Sequence, residues 1–276
     1  MLWLLLLQVL ASSLWLGHSE VVTSFEDCPQ FFYEETSPND ALNPQNPAWI
    51  CQRYSSSYHY ATLYDRERRI PVYSAYIYRP LSEKIHDSSW FVEPQLIGDN
   101  DLKDMETELV LIERYNFTSD QIKASQAVLE DYNQLLGLER GYLNPSGHHD
   151  SRDSRKATFT LTNIVPQDSS LYIGQWKHYE FTRMPEKSKG CTTTYVITGA
   201  VPGNSYVAQG RVNRPSHIWS AACCLVGTHP TKAWGAIAEN DHDQIRILSL
   251  GELEARLTEI YEGERVTLFS KACPRK

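Results

Sequence analysis

The sequence predicts a single α+β domain, and three observations support this prediction. The 276 residues include 41% hydrophobic and 22% charged side chains, the composition of a folded globular protein with a sizeable core. Tyr, Phe and Trp occur 16, 8 and 7 times, and these residues suit half-buried strands. Finally, segments with strand and helix patterns do not alternate as a parallel sheet would require.

The first part of the chain is predicted to contain an irregular segment followed by a strand pair. Residues 20–58 are rich in turn formers and contain two cysteines, which indicates an irregular segment held by a disulfide bond. Tyr60 to Tyr64 and Ile70 to Tyr78 have strand patterns and flank a charged turn. We expect residues 59–276 to form the main domain.

The strongest helix prediction covers residues 119–136. Thr118 and Gln121 have the spacing of a capping box, and Gly137 is suited to end a helix. Apolar residues between these ends recur with helical spacing and indicate one buried face.

Two further elements follow this helix. Residues 157–164 (ATFTLTNI) indicate a buried strand. Residues 173–184 are predicted to be helical, and the four-residue spacing of Tyr172, Trp176 and Glu180 places their side chains roughly on one face.

The last third is predicted to be rich in strands. Residues 192–198 and 206–212 flank the turn-forming residues 201–204 (VPGN), which indicates a hairpin. Residues 245–261 are amphipathic and are expected to form a helix that docks on the sheet.

The N-terminus predicts a secreted protein. Residues 2–16 (LWLLLLQVLASSLWL) have the length of the apolar region of a signal peptide, and we expect cleavage near Gly17 to Glu20. Residues 1–19 are therefore predicted to be a signal peptide, with an uncleaved membrane anchor as the alternative. No later segment is apolar for long enough to span a membrane.

The cysteines and one asparagine agree with an oxidising compartment. Six cysteines suggest disulfide bonds, but they allow 15 pairings, and the sequence does not choose among them. Neighbouring cysteines are expected to bond to different partners because a bridge between them is strained. Asn116-Phe117-Thr118 is an acceptor pattern for N-glycosylation. The disulfide candidates are Cys28, Cys51, Cys191, Cys223, Cys224 and Cys273.

The net charge excludes one class of nucleic-acid binding. Lys and Arg number 26 against 34 Asp and Glu, so the net charge is −8. An overall field of this sign does not attract nucleic acid. Any phosphate contact must therefore come from a local basic site.

An ordered set of motifs lies between Glu139 and Glu180. Its elements are Arg140-Gly141 with Pro145, then residues 162–167 (TNIVPQ), and then Gly174, Trp176 and Glu180. The set resembles the DNA/RNA non-specific endonuclease family, whose motifs are Asp-Arg-Gly-His, Thr-Asn-Ile-x-Pro-Gln and Asn-x-Gly-x-Trp-x-x-x-Glu. The resemblance covers roughly residues 60 to 260. It implies a ββα-metal (His-Me finger) nuclease fold with a central antiparallel sheet flanked by helices.

The resemblance also implies a chemistry and a set of site residues. A neutral His takes the proton of the attacking water, and a hydrated Mg²⁺ ion neutralises the phosphate. Since Mg²⁺ keeps most of its waters, one Asn ligand suffices, with a Glu and another Asn holding the shell. The corresponding catalytic positions here are Glu139, Arg140, Tyr142, Asn163 and Glu180, and the metal-ligand position is Tyr172.

Two of these positions depart from the family pattern. Tyr142 occupies the His position, and a phenol with a pKa near 10 is a poor acceptor of a water proton. Tyr172 occupies the ligand Asn position, and a neutral phenol is a weak Mg²⁺ ligand. Glu139 in place of Asp is a mild change. A family Arg would fall on Ser88 if its neighbouring Trp is Trp90.

Several of these residues have simpler interpretations. Arg140 could only pair with an acid such as Glu180, and Asn163 could be a turn residue after a strand. Tyr142 and Tyr172 could pack against each other. His148 and His149 could replace the missing base, but we expect them to be histidines of a surface loop.

Three functions remain open at this level. The first is a secreted family member with impaired hydrolysis of nucleic-acid phosphodiesters. The second is a working Mg²⁺-dependent endonuclease that acts on DNA or RNA with a compensated site. The third is a non-catalytic extracellular protein that binds a protein partner and needs no cofactor.

Overall fold

A central antiparallel sheet organises the chain. The computed structural model describes residues 20–80 and 89–276. The predicted signal peptide and the position Ser88 lie outside these residues. The strands in the described residues are β1 Val21–Val22, β2 Pro47–Tyr54, β3 Ser57–Asp65, β4 Ile70–Ile77, β5 Leu138–Tyr142, β6 Ile164–Asp168, β7 Thr193–Val201, β8 Ser205–Val207, β9 Val212–Arg214, β10 His217–Val226, β11 His229–Glu239 and β12 Arg246–Leu248. Eight of them form the sheet in the order β1-β2-β3-β4-β7-β10-β11-β12, and two short ribbons pair β5 with β6 and β8 with β9.

Short helices cover both faces of the sheet, which gives the predicted α+β class. None of the helices in the described parts of the chain has the length and apolar character needed to cross a bilayer. The helices are α1 Pro94–Ile97, α2 Glu108–Tyr115, α3 Ser119–Ser125, α4 Arg152–Ala157, α5 Ser169–Ile173, α6 Gln175–His178, α7 Met184–Ser188 and α8 Leu250–Tyr261, with a wider π turn at Tyr179–Arg183 between α6 and α7.

Strand β10 shows how the sheet separates two cores. Side chains alternate across a strand, so Trp219 and Ala221 face a core formed with α8 and the N-terminal aromatic residues. Ile218 faces the opposite core, which contains the β5–β6 ribbon and Trp176. The ribbon that carries the candidate site is therefore packed on one face of the sheet only.

Three disulfide bonds join Cys28 to Cys51, Cys191 to Cys224 and Cys223 to Cys273. The expected separation of the two neighbouring cysteines is confirmed. The reason is the strand alternation, since Cys223 faces one core and Cys224 the other. Each disulfide candidate named from the sequence is paired.

The predicted helix over 119–136 is wrong beyond Ser125. Its capping box is present, because Thr118 Oγ1 accepts from the Gln121 N–H and Gln121 Oε1 accepts from the Thr118 N–H. However, Gln126 is extended and buried, and its side chain bonds both main-chain groups of Glu93. These tertiary hydrogen bonds replace the helical ones. Gly137 does adopt a positive φ, of 69°.

The predicted strand over 157–164 is also wrong. Helix α4 ends at Ala157, a short 3-10 turn covers Leu161–Asn163, and β6 begins only at Ile164. Thr160 makes a single bridge to Phe91. The segment is buried as expected, but burial alone does not distinguish a strand from a buried turn.

The other sequence predictions are confirmed in part. The predicted strand pair matches β3 and β4, and residues 173–184 are helical apart from an interruption at Gly174. The hairpin of 192–198 with 206–212 is wrong, because β7 lies between β4 and β10. Helix α8 docks on the sheet but begins only at Leu250, after edge strand β12. Residues 20–58 are not irregular throughout, since they contain β2.

Candidate functional site

The candidate site begins with the β5–β6 ribbon. Tyr142 pairs with Ile164 and Gly141 with Val165, so the first motif lies beside the second. Gly141 is required by a close approach, because a Cβ atom there would lie 2.4 Å from Gln167 Oε1. Two strands followed by the helical segment from Ser169 make the ββα arrangement that the resemblance implies.

The helical segment starts with two caps. Asp168 Oδ1 accepts from the Ser170 and Leu171 N–H groups and begins α5. Gly174 interrupts the helix, and Asp243 Oδ1 accepts from the Gln175 N–H at 2.6 Å to begin α6. A Cβ atom at Gly174 would overlap the Asp243 carboxylate. The glycine at this motif position therefore leaves room for the carboxylate that caps α6.

Tyr142 lies in an aromatic cluster. Its ring stacks on Trp90 with centroids 5.9 Å apart and meets Phe159 edge-on at 5.7 Å. Within the described residues, its ring pairs are with these two side chains and not with Tyr172. Burial raises the pKa of Tyr142 above its ordinary value. The nearby Tyr172 phenol raises this pKa further, whereas the Arg140 guanidinium lowers it. Tyr142 is therefore a neutral phenol at physiological pH.

Arg140 takes part in the same cluster. Its guanidinium carbon lies 4.7 Å from the centroid of the Trp90 ring, a cation–π distance. No ion pair between Arg140 and Glu180 is found in the parts of the chain that are described. The neighbouring Glu139 is exposed, and its Oε1 accepts a long 3.4 Å hydrogen bond from Ser169 Oγ.

Tyr172 and Glu180 form the other side of the site. Burial raises the pKa of Tyr172, and the charges of Glu180 and Glu139 raise it further. Burial also raises the pKa of Glu180 to about 8, although Trp176 Nε1 donates to Glu180 Oε1 at 3.0 Å. Trp176 is itself buried in the core, as the sequence suggested. A cation is not among the groups that shift the pKa of Glu180.

Asn163 lies behind the site in the core, with no exposed surface. Its Oδ1 accepts from Ser74 Oγ and from the Asn144 N–H, both at 3.0 Å. Its Nδ2 donates to the carbonyl oxygens of Asn144 at 2.9 Å and Thr158 at 3.0 Å. Its amide joins the loop after β5 to β4 and the end of α4, which is a structural arrangement.

The expectation that His148 and His149 are surface residues is wrong, because both are buried. His148 Nε2 lies 3.0 Å from the Glu180 carbonyl oxygen, which can only accept, so Nε2 carries the proton. Nδ1 therefore accepts from the Tyr76 hydroxyl at 2.9 Å. Burial lowers the pKa of His148 to about 4 and, with its charged neighbours, that of His149 to about 3.

This donor set does not fit a hydrated Mg²⁺ ion. The Tyr172 phenol is neutral, the Asn163 amide is fully used by the core, and the Glu180 carboxyl has a pKa raised to about 8. Mg²⁺ prefers carboxylate and carbonyl oxygens in an open octahedral shell. Among the described residues, metal-capable side chains cluster instead at Glu239 and Asp241, which are exposed, and His242, which is half-buried.

The tertiary structure thus brings some of the predicted site residues together. Tyr172 and Arg140 act on the pKa of Tyr142, and Glu180, Glu139 and Arg140 act on that of Tyr172, whereas Asn163 is withdrawn into the core. Sequence reasoning missed the contacts made by Phe159, Tyr76 and Asp243. No local pattern marks these residues, because each reaches the site from a distant part of the chain.

Comparisons with known proteins agree with this geometry. Residues 37–268 match the model of the DNA/RNA non-specific endonuclease family. The Endonuclease domain-containing 1 protein of Mus musculus is 35% identical over 243 residues, 84% of this chain and 46% of that protein. The Homo sapiens protein of the same name is 33% identical over 212 residues, 75% of this chain and 40% of that protein.

The chain therefore spans less than half the length of these curated relatives. A chain from the crystal structure of the EndoG/EndoGI complex superposes with a TM-score of 0.48 and 18% identity, over 70% of this chain and 74% of that chain. That likeness is too low to carry a functional argument.

Proposed function

Because the chain belongs to the DNA/RNA non-specific endonuclease family, we propose that it is a secreted member that keeps the nuclease scaffold but hydrolyses phosphodiesters poorly or not at all. The observation that carries this proposal is the state of the two tyrosines. Tyr142, at the general-base position, is a phenol whose pKa is raised by burial, and so is Tyr172 at the metal-ligand position.

The first deficit is the base. A general base must hold a free lone pair within hydrogen-bond reach of water and must accept a proton near pH 7. Tyr142 carries its own proton and stacks on Trp90. His148 cannot replace it, since both ring nitrogens are engaged by Tyr76 and the Glu180 carbonyl. General-base catalysis contributes about 10²–10⁴-fold, so its loss alone is severe.

The second deficit is the cation. A metal ion in this family would neutralise the phosphate and activate water. Since Tyr172 and Asn163 do not supply the required free oxygen ligand, no catalytic step can be assigned through Mg²⁺ in this chain. What the site still offers is the Arg140 guanidinium beside aromatic rings, a group suited to phosphate contact.

Binding and localisation are part of the same proposal. We infer DNA or RNA binding from family membership, at a local site, because the net charge is −8. Secretion is supported by the apolar leader, by three disulfide bonds and by the exposed Asn116 in an acceptor pattern. A non-catalytic extracellular binding protein is the second candidate, and the net charge favours it.

The test compares the natural chain with a Tyr142→His/Tyr172→Asn double variant on single- and double-stranded DNA and RNA, with Mg²⁺ or EDTA. Tyr206→His, at an exposed tyrosine outside the site, is the matched control. We expect no EDTA-sensitive cleavage by the natural chain or the control, and a gain of at least about 10²-fold in the double variant.

Each outcome decides between the candidates. EDTA-sensitive cleavage by the natural chain would overturn the proposed impairment. If neither the natural chain nor the double variant cleaves, and neither shifts DNA mobility at low salt, the non-catalytic binding protein is favoured.

A further inference from the structure

Two carboxyl groups are buried side by side where the described chain begins. Glu20 and Glu93 have no exposed surface. Oε1 of Glu93 accepts from the hydroxyls of Thr160 at 2.6 Å and Thr162 at 2.7 Å. Within residues 20–80 and 89–276, Oε2 of Glu93 and both carboxyl oxygens of Glu20 have no well-formed hydrogen bond. Such a pair is costly unless something neutralises it.

The charges around this pair do not neutralise it. Burial raises the pKa of Glu20 well above its ordinary range, and the adjacent Glu93 carboxyl raises it further. The main-chain N–H of Arg53 opposes this shift, but the guanidinium of Arg53 is engaged with Asp104 at 2.7 Å. The groups that act on Glu20 therefore include two acids and no side-chain cation.

The main chain of Glu20 is fixed on both sides. Its N–H donates to Gln95 Oε1 at 2.8 Å, and its carbonyl accepts from the Cys51 N–H at 2.7 Å. Val21 also donates to Gln95 Oε1, at 2.7 Å. The same short segment thus holds the nitrogen of Glu20 through Gln95 and places the Glu93 carboxyl beside the Glu20 side chain. This is unusual order for a residue next to a predicted cleavage site, since chain ends fray unless they are tied down.

The sequence places the cleavage site at the same residue. Gly17 and Ser19 are small residues at the third and first positions before Glu20, as a secretory leader protease requires. Hydrolysis of the Ser19–Glu20 bond consumes one water, leaves a carboxylate on Ser19 and an amine on Glu20, and the amine takes up a proton near neutral pH. The single N–H of Glu20 then becomes an ammonium group with three N–H donors.

We propose that cleavage after Ser19 creates an α-ammonium group at Glu20 that forms a buried ion pair with the Glu20–Glu93 carboxyl pair. One N–H keeps the hydrogen bond to Gln95, and the others serve carboxyl oxygens that now lack donors. The two carboxyl groups share one proton and therefore carry one negative charge. The positive charge of the ammonium group neutralises it. This proposal rests on the proposed secretion, and it makes leader removal a stabilising step in maturation.

The experiment compares two chains that differ by one residue. One begins at Glu20 and the other at Ser19, both made in a secretory host and freed from a tag by a protease that leaves the chosen first residue. The extra residue moves the ammonium group about 3.8 Å along the chain. Because breaking a buried ion pair is strongly destabilising, we expect the Ser19 chain to melt about 6–20 °C lower.

Two variants and a labelling measurement complete the test. The double substitution Glu20→Leu/Glu93→Gln removes both carboxyl groups and should abolish the difference between the two chains, whereas Glu26→Gln, at an exposed acid, should preserve it. Acylation of the native α-amine should be at least about tenfold slower in the Glu20 chain, because a buried ion-paired amine is less accessible. The labelling comparison uses only the two unsubstituted chains, so it tests the ion pair even if the double variant does not fold.

Equal melting temperatures together with equal labelling rates would overturn the ion pair. An equal loss of stability with EDTA in both chains would also overturn it, in favour of a bound metal. N-terminal sequencing of the chain secreted with its own leader tests the processing step separately, and any first residue other than Glu20 contradicts it. None of these measurements depends on nuclease activity.

Discussion

The buried amide of Asn163 allows a direct test of whether that residue supports the fold or the chemistry. It makes four hydrogen bonds within the core, to Ser74, Asn144 and Thr158. We predict that Asn163→Leu, which keeps the branched four-atom skeleton of the side chain but has no polar atoms, strongly destabilises the chain. If Asn163 mainly held a metal shell, the same change would leave stability almost unaltered.

The magnitude follows from the partners left behind. The Ser74 hydroxyl can turn to Thr62, which lies 3.0 Å away, so its loss is small. The N–H and carbonyl of Asn144 and the carbonyl of Thr158 would remain buried without this partner. Each unsatisfied group costs about 1–3 kcal/mol, so the three groups together predict a loss of about 3–9 kcal/mol of unfolding free energy. The melting temperature should therefore fall by at least about 6 °C.

The assay is urea unfolding of the disulfide-intact chain, followed by tryptophan fluorescence. Asn204→Leu, at an exposed asparagine, is the matched control and should change the unfolding free energy by less than about 0.5 kcal/mol. A loss below about 1 kcal/mol for Asn163→Leu would refute the structural role, because at least one buried group would then have found a new partner.

Two other predictions concern the same side of the sheet. The folded pKa values of about 4 for His148 and about 3 for His149 lie below the unfolded value, so we expect stability to be complete above pH 6.5 and to fall as the pH drops toward 4. His148→Gln should reduce this loss of stability in acid, measured by pH-dependent melting, whereas His229→Gln, at an exposed histidine, should not. Equal slopes in all three chains would contradict the argument. Gly141→Ala should cost about 1–3 kcal/mol in urea unfolding, since the new Cβ would lie 2.4 Å from Gln167 Oε1. Adding Gln167→Ala should restore part of that loss, and no recovery would show that the strain lies elsewhere.

Local sequence patterns predicted the features that depend on nearby residues. The capping box of Thr118 and Gln121 formed as expected, because both partners lie within one helical turn. The order of β5, β6 and α5 agrees with the ββα fold that the motif resemblance implies, although the strand predicted over 157–164 was wrong. The helix beyond Ser125 failed, because Gln126 bonds Glu93, 33 positions away, and no local rule anticipates this partner.

The motif spacing predicted that Tyr142, Tyr172 and Glu180 are neighbours, and their role in a site stays a prediction. In the structure Tyr172 raises the pKa of Tyr142, and Glu180 raises that of Tyr172. Their surroundings were not predictable. Trp90 and Phe159 enclose Tyr142, and His148 returns from the following loop to the Glu180 carbonyl. The sequence could not distinguish a buried histidine from a surface one in a polar loop.

The sequence by itself determined the family and the α+β class, because these depend on residue identity and spacing, and it predicts that two phenols replace an imidazole and a carboxamide. Only the tertiary structure decided which cysteines pair, which side-chain amide forms its hydrogen bonds within the core and which acids are buried without hydrogen-bond donors. Pairing and burial are set by residues far apart in the chain, and their free energies arise only when the fold excludes water.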